Sequence, residues 1–205
     1  MRNAIISSGE KMKNKKKNIL KTKKIAQEIF FFDKLESTQI KARELAEEKV
    51  VNGSIVITDN QTNGIGTHDR KWHSEEGKNI TFTLIIYPKC DIKDLDGITI
   101  DIAKCMIQAI YEECGHNMEI KFPNDIMCNG KKMGGILTQI VTSGKKIRYL
   151  LIGIGINVNG KEFPIEIQDI ATSLEKEFGK EFSREDIVSN FCSKFETCCI
   201  SKKII

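Results

Sequence analysis

Long apolar runs are missing from this 205-residue chain, and none approaches the ~20 residues that a membrane span needs. A secretory leader is missing too. Lys11 to Lys24 is basic, but no continuous apolar stretch with a small-residue cleavage site follows it. Metal-site spacing is absent as well. The seven cysteines, at 90, 105, 114, 128, 192, 198 and 199, form no Cys-x-x-Cys pair, and His68, His73 and His116 lack ligand spacing to them. A zinc site is therefore not expected. An odd cysteine count without a leader points to reduced thiols and a cytoplasmic protein rather than a disulfide framework. Internal repeats are absent, and so is low complexity beyond the basic N-terminus.

What is present fits one folded domain. Hydrophobic residues make up 40% and charged residues 29%, which is a globular balance. The net charge of +4 is uneven, because residues 1–25 hold nine Lys or Arg against one acid, Glu10. The rest of the chain is mildly acidic, which argues against a folded face that tracks phosphates and against a nucleic-acid partner. Residues 1–25 are expected to form a basic, disordered tail.

Periodicity gives the elements. Ile29–Phe32 reads as a short strand, and Ser37 is an N-cap candidate for a helix through Lys41–Lys49. Ser54–Thr58 and Asn79–Tyr87 read as strands, with a long glycine-containing connection over residues 60–79. Leu95–Cys114 carries apolar residues at helical spacing (Ile98, Ile102, Met106, Ile110). Glu119–Phe122, Ile126–Cys128, Met133–Val141 and Ile147–Val158 read as strands. Asn129-Gly130 signals a type I′ hairpin, and Ser143-Gly144 a second hairpin. A helix over Arg184–Cys199 closes the chain. Strands outnumber helices and are joined mostly by hairpins, so the expected fold is α+β, with a mixed, largely antiparallel sheet packed with helices.

Chemistry concentrates in four places. Gln61 through Trp72 contains Gly64-Ile65-Gly66, whose backbone can approach a ligand closely and whose amides can form an anion nest. Arg70 offers a guanidinium to a phosphate, and Trp72 either closes over a flat ligand or anchors the loop in the core. This is neither a dinucleotide fingerprint, since Asp69 stands where the third glycine belongs, nor a Walker loop. Lys121-Phe122-Pro123-Asn124-Asp125 puts polar groups at a strand end. Lys132-Met133-Gly134-Gly135 places a lysine at a strand entrance, and Gly153-Ile154-Gly155-Ile156-Asn157 leaves one strand face bare.

In this order the segments resemble the biotin–protein ligase family. They run Glu36-Ser37-Thr38-Gln39, Gln61 through Trp72, Gly77-Lys78-Asn79, Pro123-Asn124-Asp125, Lys132 through Leu137, and Gly153 through Asn157. The likeness covers roughly residues 28–200. It implies a class II synthetase-like catalytic domain over 26–200, without the C-terminal β-barrel or the N-terminal winged helix of longer members. It also implies an enzyme that adenylates biotin with ATP and Mg²⁺, then transfers biotin to a lysine of a biotin carboxyl carrier protein. A homodimer is compatible with it.

By resemblance, Ser37, Thr38, Gln39, Gln61, Ile65, Gly66, Thr67 and Lys132 bind biotin. Gly64, Arg70, Trp72, Asn124, Asp125 and Asn157 form the ATP and adenylate end. Lys132 and Arg70 are the catalytic candidates. No direct protein metal site is expected, with Mg²⁺ arriving on ATP toward Asp125. The chain departs from the family pattern at Gln39 (usually Asn), at Ile65 and Thr67 (usually Arg), at Asp69 (usually Gly) and at Phe122 (usually Trp). Two other readings stay open: a lipoate or other acyl-protein ligase relative, and a module that binds biotin or its adenylate without transferring it.

Overall fold

Alternating apolar side chains drive seven strands into one sheet. A computed structural model describes residues 22–205. The strands are β1 (Ile29–Leu35), β2 (Ser54–Gln61), β3 (Gly64–Ile65), β4 (Lys71–Trp72), β5 (Asn79–Ile86), β6 (Glu119–Lys121), β7 (Asp125–Cys128), β8 (Lys131–Ser143) and β9 (Lys146–Asn157). The helices are α1 (Thr38–Glu47), α2 (Ile98–Cys114), α3 (Leu174–Phe178) and α4 (Arg184–Ser201). Seven strands form the main sheet in the order β1-β2-β5-β9-β8-β7-β6. β1 and β2 run parallel with α1 between them in sequence, and the other neighbours are antiparallel. The fold is α+β with a mixed, largely antiparallel sheet, as expected from the hairpin signals.

Turn chemistry sets the register. Asn129 and Gly130 both have positive φ, 49° and 76°, as a type I′ connection between β7 and β8 requires. β8 and β9 close at Ser143↔Lys146, so Gly144 and Lys145 form the two-residue loop, and Gly144 supplies the positive φ.

The two sheet faces are covered differently. Phe82, Leu84 and Ile86 of β5 join Ile152, Ile154 and Ile156 of β9 beneath α2 and α4, which forms the main core. On the other face Ala42, Leu45 and Ala46 of α1 cover Val56, Ile85, Tyr149 and Leu151. α1 therefore seals only the half of that face nearer the start of β9, and the half carrying Gly153 and Gly155 lies beyond this cluster.

Boundaries shift for local reasons. α1 begins at Thr38, because Ser37 Oγ accepts the Gln39 N–H and caps it there. α2 begins at Ile98 rather than Leu95. Gly97, at φ 76°, separates it from a short 3₁₀ turn over Ile92–Leu95, which Asp91 and Asp94 close reciprocally. α3 was not anticipated; Ser173 caps one end and the left-handed Gly179 ends it. The expected tail boundary at residue 25 falls inside ordered structure. Glu196 of α4 accepts the backbone N–H groups of Lys23, Lys24 and Ile25 at 2.5–3.0 Å, and the Ile25 side chain is fully buried. The remainder of that expected tail lies outside the described residues.

Candidate functional site

The period of two along a strand makes the site. On β5, Asn79, Thr81 and Thr83 share one face, and they stand opposite Asn157, Gly155 and Gly153 of β9. Gly135 of β8 pairs Gly155 in turn. The result is a strip of sheet almost free of side chains, running from Gly153 to the Asn79–Asn157 pair. Absence of Cβ atoms is what opens it. A Cβ on Gly155 would lie 2.6 Å from Trp72 Cζ2, and one on Gly153 would lie 2.6 Å from Gln39 Oε1. Trp72 rests on the bare strip, so it acts as a wall of the hollow rather than a distant loop anchor. Its indole Nε1 is buried without a hydrogen-bond partner.

One end of the strip is a polar network with fixed orientations. Gln61 Oε1 accepts the Thr38 backbone N–H at 2.8 Å and lies 3.0 Å from the Thr38 hydroxyl. A backbone N–H only donates, so Gln61 must present its oxygen there and is left with its amide NH₂ as a donor along the wall by Gly64. The Thr83 hydroxyl lies 3.0 Å from both Thr38 Oγ1 and Gln39 Oε1. Its single proton serves one acceptor at a time, and Gln39 Oε1 can only accept. This end of the hollow thus offers one amide donor, one amide acceptor and adaptable hydroxyls.

Lys132 stands toward the other end. Its backbone is pinned by Lys132 N–H to Ile170 O (2.7 Å) and by Thr172 N–H to Lys132 O (2.9 Å). Its side chain runs over Gly135, where a Cβ would sit 3.5 Å from Nζ. Nζ pairs with Asp125 Oδ1 at 2.7 Å. Asn124 is held by two bonds to Ile136, donating from Nδ2 (3.0 Å) and accepting the Ile136 N–H (3.0 Å).

The glycine loop folds as the β3–β4 hairpin, with Gly66 N–H bonded to Arg70 O at 2.7 Å and His68 at φ 56°. It brings Ile65, Gly66 and Thr67 to the hollow. Together with Ser37, Thr38, Gln39, Gln61, Trp72, Asn124 and Lys132, these line a space of about 450 Å³, open to solvent.

Four expected site residues do not line it. Gly64 backs the wall between Gln61 and Trp72. Asp125 reaches the site only through Lys132. Asn157 is tied to Asn79 Nδ2 (3.1 Å) and to Thr172 O (3.0 Å), and so braces the strip's end. Arg70 is the fourth that does not line it. Its guanidinium folds back on its own loop, donating to Thr67 O (3.2 Å) and Thr67 Oγ1 (3.0 Å), because the tight Gly66–Arg70 turn sets the two residues side by side.

Thr81, Thr83 and Leu137 also line the hollow and were not singled out as site residues, beside the bare Gly153 and Gly155 that the strand pattern marks. The signal for the threonines was legible. Asn79, Thr81 and Thr83 alternate with Ile80, Phe82 and Leu84, so a polar stripe faces away from the core.

Beyond the strip's Asn79 end lies a larger, open hollow of about 1260 Å³, lined among others by His73, Ser74, Asn159, Lys161, Phe163 and Glu175. Buried Glu175 pairs with Lys161 at 2.8 Å through Oε1, while its Oε2 and Ser74 Oγ are buried without hydrogen-bond partners. Among the described residues no group of three or more His, Cys, Asp or Glu side chains is gathered to hold a metal ion.

Comparison with known proteins matches this arrangement to one family. The model of the biotin/lipoate A/B protein ligase family matches residues 31–157, and the chain belongs to that family. The bifunctional ligase/repressor BirA of Bacillus subtilis is 40% identical over 179 residues, covering 86% of this chain and 55% of that protein. The biotin–[acetyl-CoA-carboxylase] ligase of Paracoccus denitrificans is 28% identical over 166 residues, covering 78% of this chain and 68% of that one. Among solved structures, the biotin protein ligase of Aquifex aeolicus in complex with biotin and ATP superposes with a TM-score of 0.75. That match is 29% identical and covers 86% of this chain and 72% of the other. The chain spans about half the length of the BirA relatives it matches. No described helix is long and apolar enough to cross a membrane.

Proposed function

We propose that this chain is an ATP-dependent biotin–protein ligase, acting in the cytoplasm on a biotin carboxyl carrier protein. One observation carries the reading: a strip bare of side chains joins an oriented amide donor and acceptor, at Gln61 and Gln39, to a cationic end at Lys132. A ureido ring has both C=O and N–H groups and complements the first end, whereas a dithiolane ring uses neither. This favours biotin over lipoate.

The chemistry follows from the other end. Biotin's carboxylate oxygen attacks the α-phosphorus of ATP, forming the mixed anhydride and releasing pyrophosphate. The carrier lysine amine then attacks the acyl carbon, an amide bond forms, AMP leaves and the amine proton goes to solvent. Neither step needs a nucleophile from the protein. Both need a cation at the carboxylate and phosphoryl oxygens and shelter from water, roles that suit Lys132 and Trp72. The nucleotide is read into the larger hollow, because Asn79 ends the strip and lines that hollow too. Asp125 is already paired with Lys132 and has no gathered acidic neighbours, so these residues do not fit a protein-held Mg²⁺. Mg²⁺ belongs with ATP in this reading.

The decisive test is the intact mass of a biotin carrier domain incubated with the protein, ATP, Mg²⁺ and biotin. One added biotinyl group is expected. A second reading, binding without transfer, is favoured by Ile65 and Thr67 in the loop and by Arg70 folded back on that loop. An unshifted carrier mass, with biotin binding intact by calorimetry, would establish that reading instead.

A further inference from the structure

The polar end of the hollow is backed by two side chains that do not line it: Arg43 on α1 and Gln139 on β8. Arg43 lies one helical turn after Gln39 on the same face of α1. Arg43 Nη2 donates to Gln139 Oε1 at 2.9 Å, and Gln39 Nε2 donates to the same oxygen at 3.2 Å. A guanidinium has only donors, so the Gln139 atom it meets is the carbonyl oxygen. That oxygen can be shared only with a second donor, which turns the Gln39 NH₂ outward. Gln39 Oε1 is thereby left inward, beside the Thr83 hydroxyl and over the bare Gly153.

Oxygen and nitrogen of an amide have nearly the same shape, so packing alone does not choose between the two orientations. The charge on Arg43 does choose, through Gln139. Gln39 itself is only 5% exposed, which limits the hydration that would otherwise level the choice.

We propose that Arg43 and Gln139 are positioning residues, which hold Gln39 as a hydrogen-bond acceptor for a ring N–H of the ligand and so set its head-group selectivity. The proposal rests on the biotin reading of the site. It concerns a second layer whose members touch the ligand only through Gln39. Binding of the head group is therefore what they affect, while ATP and the phosphoryl step lie at the far end of the strip.

The test is calorimetric titration of biotin into the wild-type chain, Gln139→Glu, Gln139→Leu and Arg43→Met, with steady-state kinetics alongside. Gln139→Glu keeps an acceptor facing both donors and is expected to bind biotin within about threefold of wild type. Gln139→Leu removes the acceptor and is expected to weaken biotin about tenfold, the worth of one net hydrogen bond. Its kcat at saturating biotin and its KM for ATP should be unchanged. Arg43→Met alters an exposed side chain, so it reports even if Gln139→Leu fails to fold, and should weaken biotin about threefold. Wild-type affinity in both Gln139→Leu and Arg43→Met overturns the proposal. So does an equal loss in Gln139→Glu and Gln139→Leu, which marks plain packing. If the wild-type chain binds no biotin, the biotin reading itself falls, and this inference with it.

Discussion

β5, β8 and β9 have two faces that share a backbone and little else. Beneath α2 and α4 they present Phe82, Leu84, Ile136, Ile152, Ile154 and Ile156, all nearly inaccessible, and Phe82 meets the Phe191 ring of α4 at 5.6 Å. On the other face the same strands present Thr81, Thr83, Gly135, Gly153 and Gly155 beneath Trp72 and the start of α1. One face is filled, and the half of the other beyond the α1 cluster is emptied, residue by alternate residue. A strand can thus carry stability and binding at once, because its period of two keeps their side chains apart. If that division is real, each face can be broken without the other.

The largest effect is expected from filling the empty face. In Gly155→Val the new side chain occupies the space of the Trp72 indole, and the tryptophan, on a short hairpin, must leave before the sheet can deform. Biotin binding by calorimetry should fall at least about a hundredfold, while the melting temperature drops by no more than about 4 °C. A collapse of melting temperature would mean that the two faces are one cooperative unit.

Lys132→Ala acts at the far end of the same face. It removes the cation over Gly135 and leaves the Asp125 carboxylate without its partner. Pyrophosphate release with biotin and ATP should fall about 10²–10³-fold, the usual effect of losing one well-placed charge-stabilising donor. Circular dichroism should be unchanged. Adenylation that survives this change assigns the phosphoryl step to another cation, with Arg70 the first to examine if its loop opens.

The mirror experiment is Phe82→Ala on the filled face. A fully buried ring is replaced by a cavity, so unfolding in urea should show a loss of about 3–5 kcal/mol. Biotin affinity at low temperature, where the chain remains folded, should stay within about twofold of wild type. A parallel loss of affinity would tie the site to the core and narrow the contrast between the faces.

How much of this contrast was legible beforehand depended on distance along the chain. Strand alternation, the Asn129-Gly130 turn, the Ser37 cap and the bare positions at Gly153 and Gly155 are local features, and each shows in a few consecutive residues. The family order of Ser37, Gln61, Lys132 and Gly153 supplied the grouping that no single segment contains. What escaped was set by contacts between remote segments. The fold of Arg70 onto Thr67 depends on the Gly66–Arg70 turn, the Arg43–Gln139–Gln39 relay joins a helix to a strand about a hundred residues away, and Ile25 is buried in the core where Glu196 captures the backbone beside it. Asn157 is placed at the adenylate end by the family order alone, and no local pattern shows what its side chain meets. Its bonds to Asn79 and Thr172 join segments 78 and 15 residues away, which the sequence does not display.

The thiols sharpen the comparison most gently. All seven cysteines belong to the core beneath α2 and α4 or pack against it, and none is among the residues lining the hollow. Burial pushes Cys105 and Cys192 up from 9 to about 12 and Cys128 to about 11, and raises Cys199 further still. The sign follows from linkage. Above pH 9 the unfolded chain releases thiol protons that the native chain still holds, so stability should decline from pH 9 toward pH 12, with no contribution from these groups below that window. Cys105→Ala with Cys192→Ala should flatten that decline in urea titrations at pH 9 to 11. At pH 8 the native thiols remain protonated and covered, so iodoacetamide should leave Cys105, Cys192 and Cys199 unmodified and biotin binding unchanged. Binding that fell with alkylation while the chain stayed folded would show that the filled face communicates with the empty one.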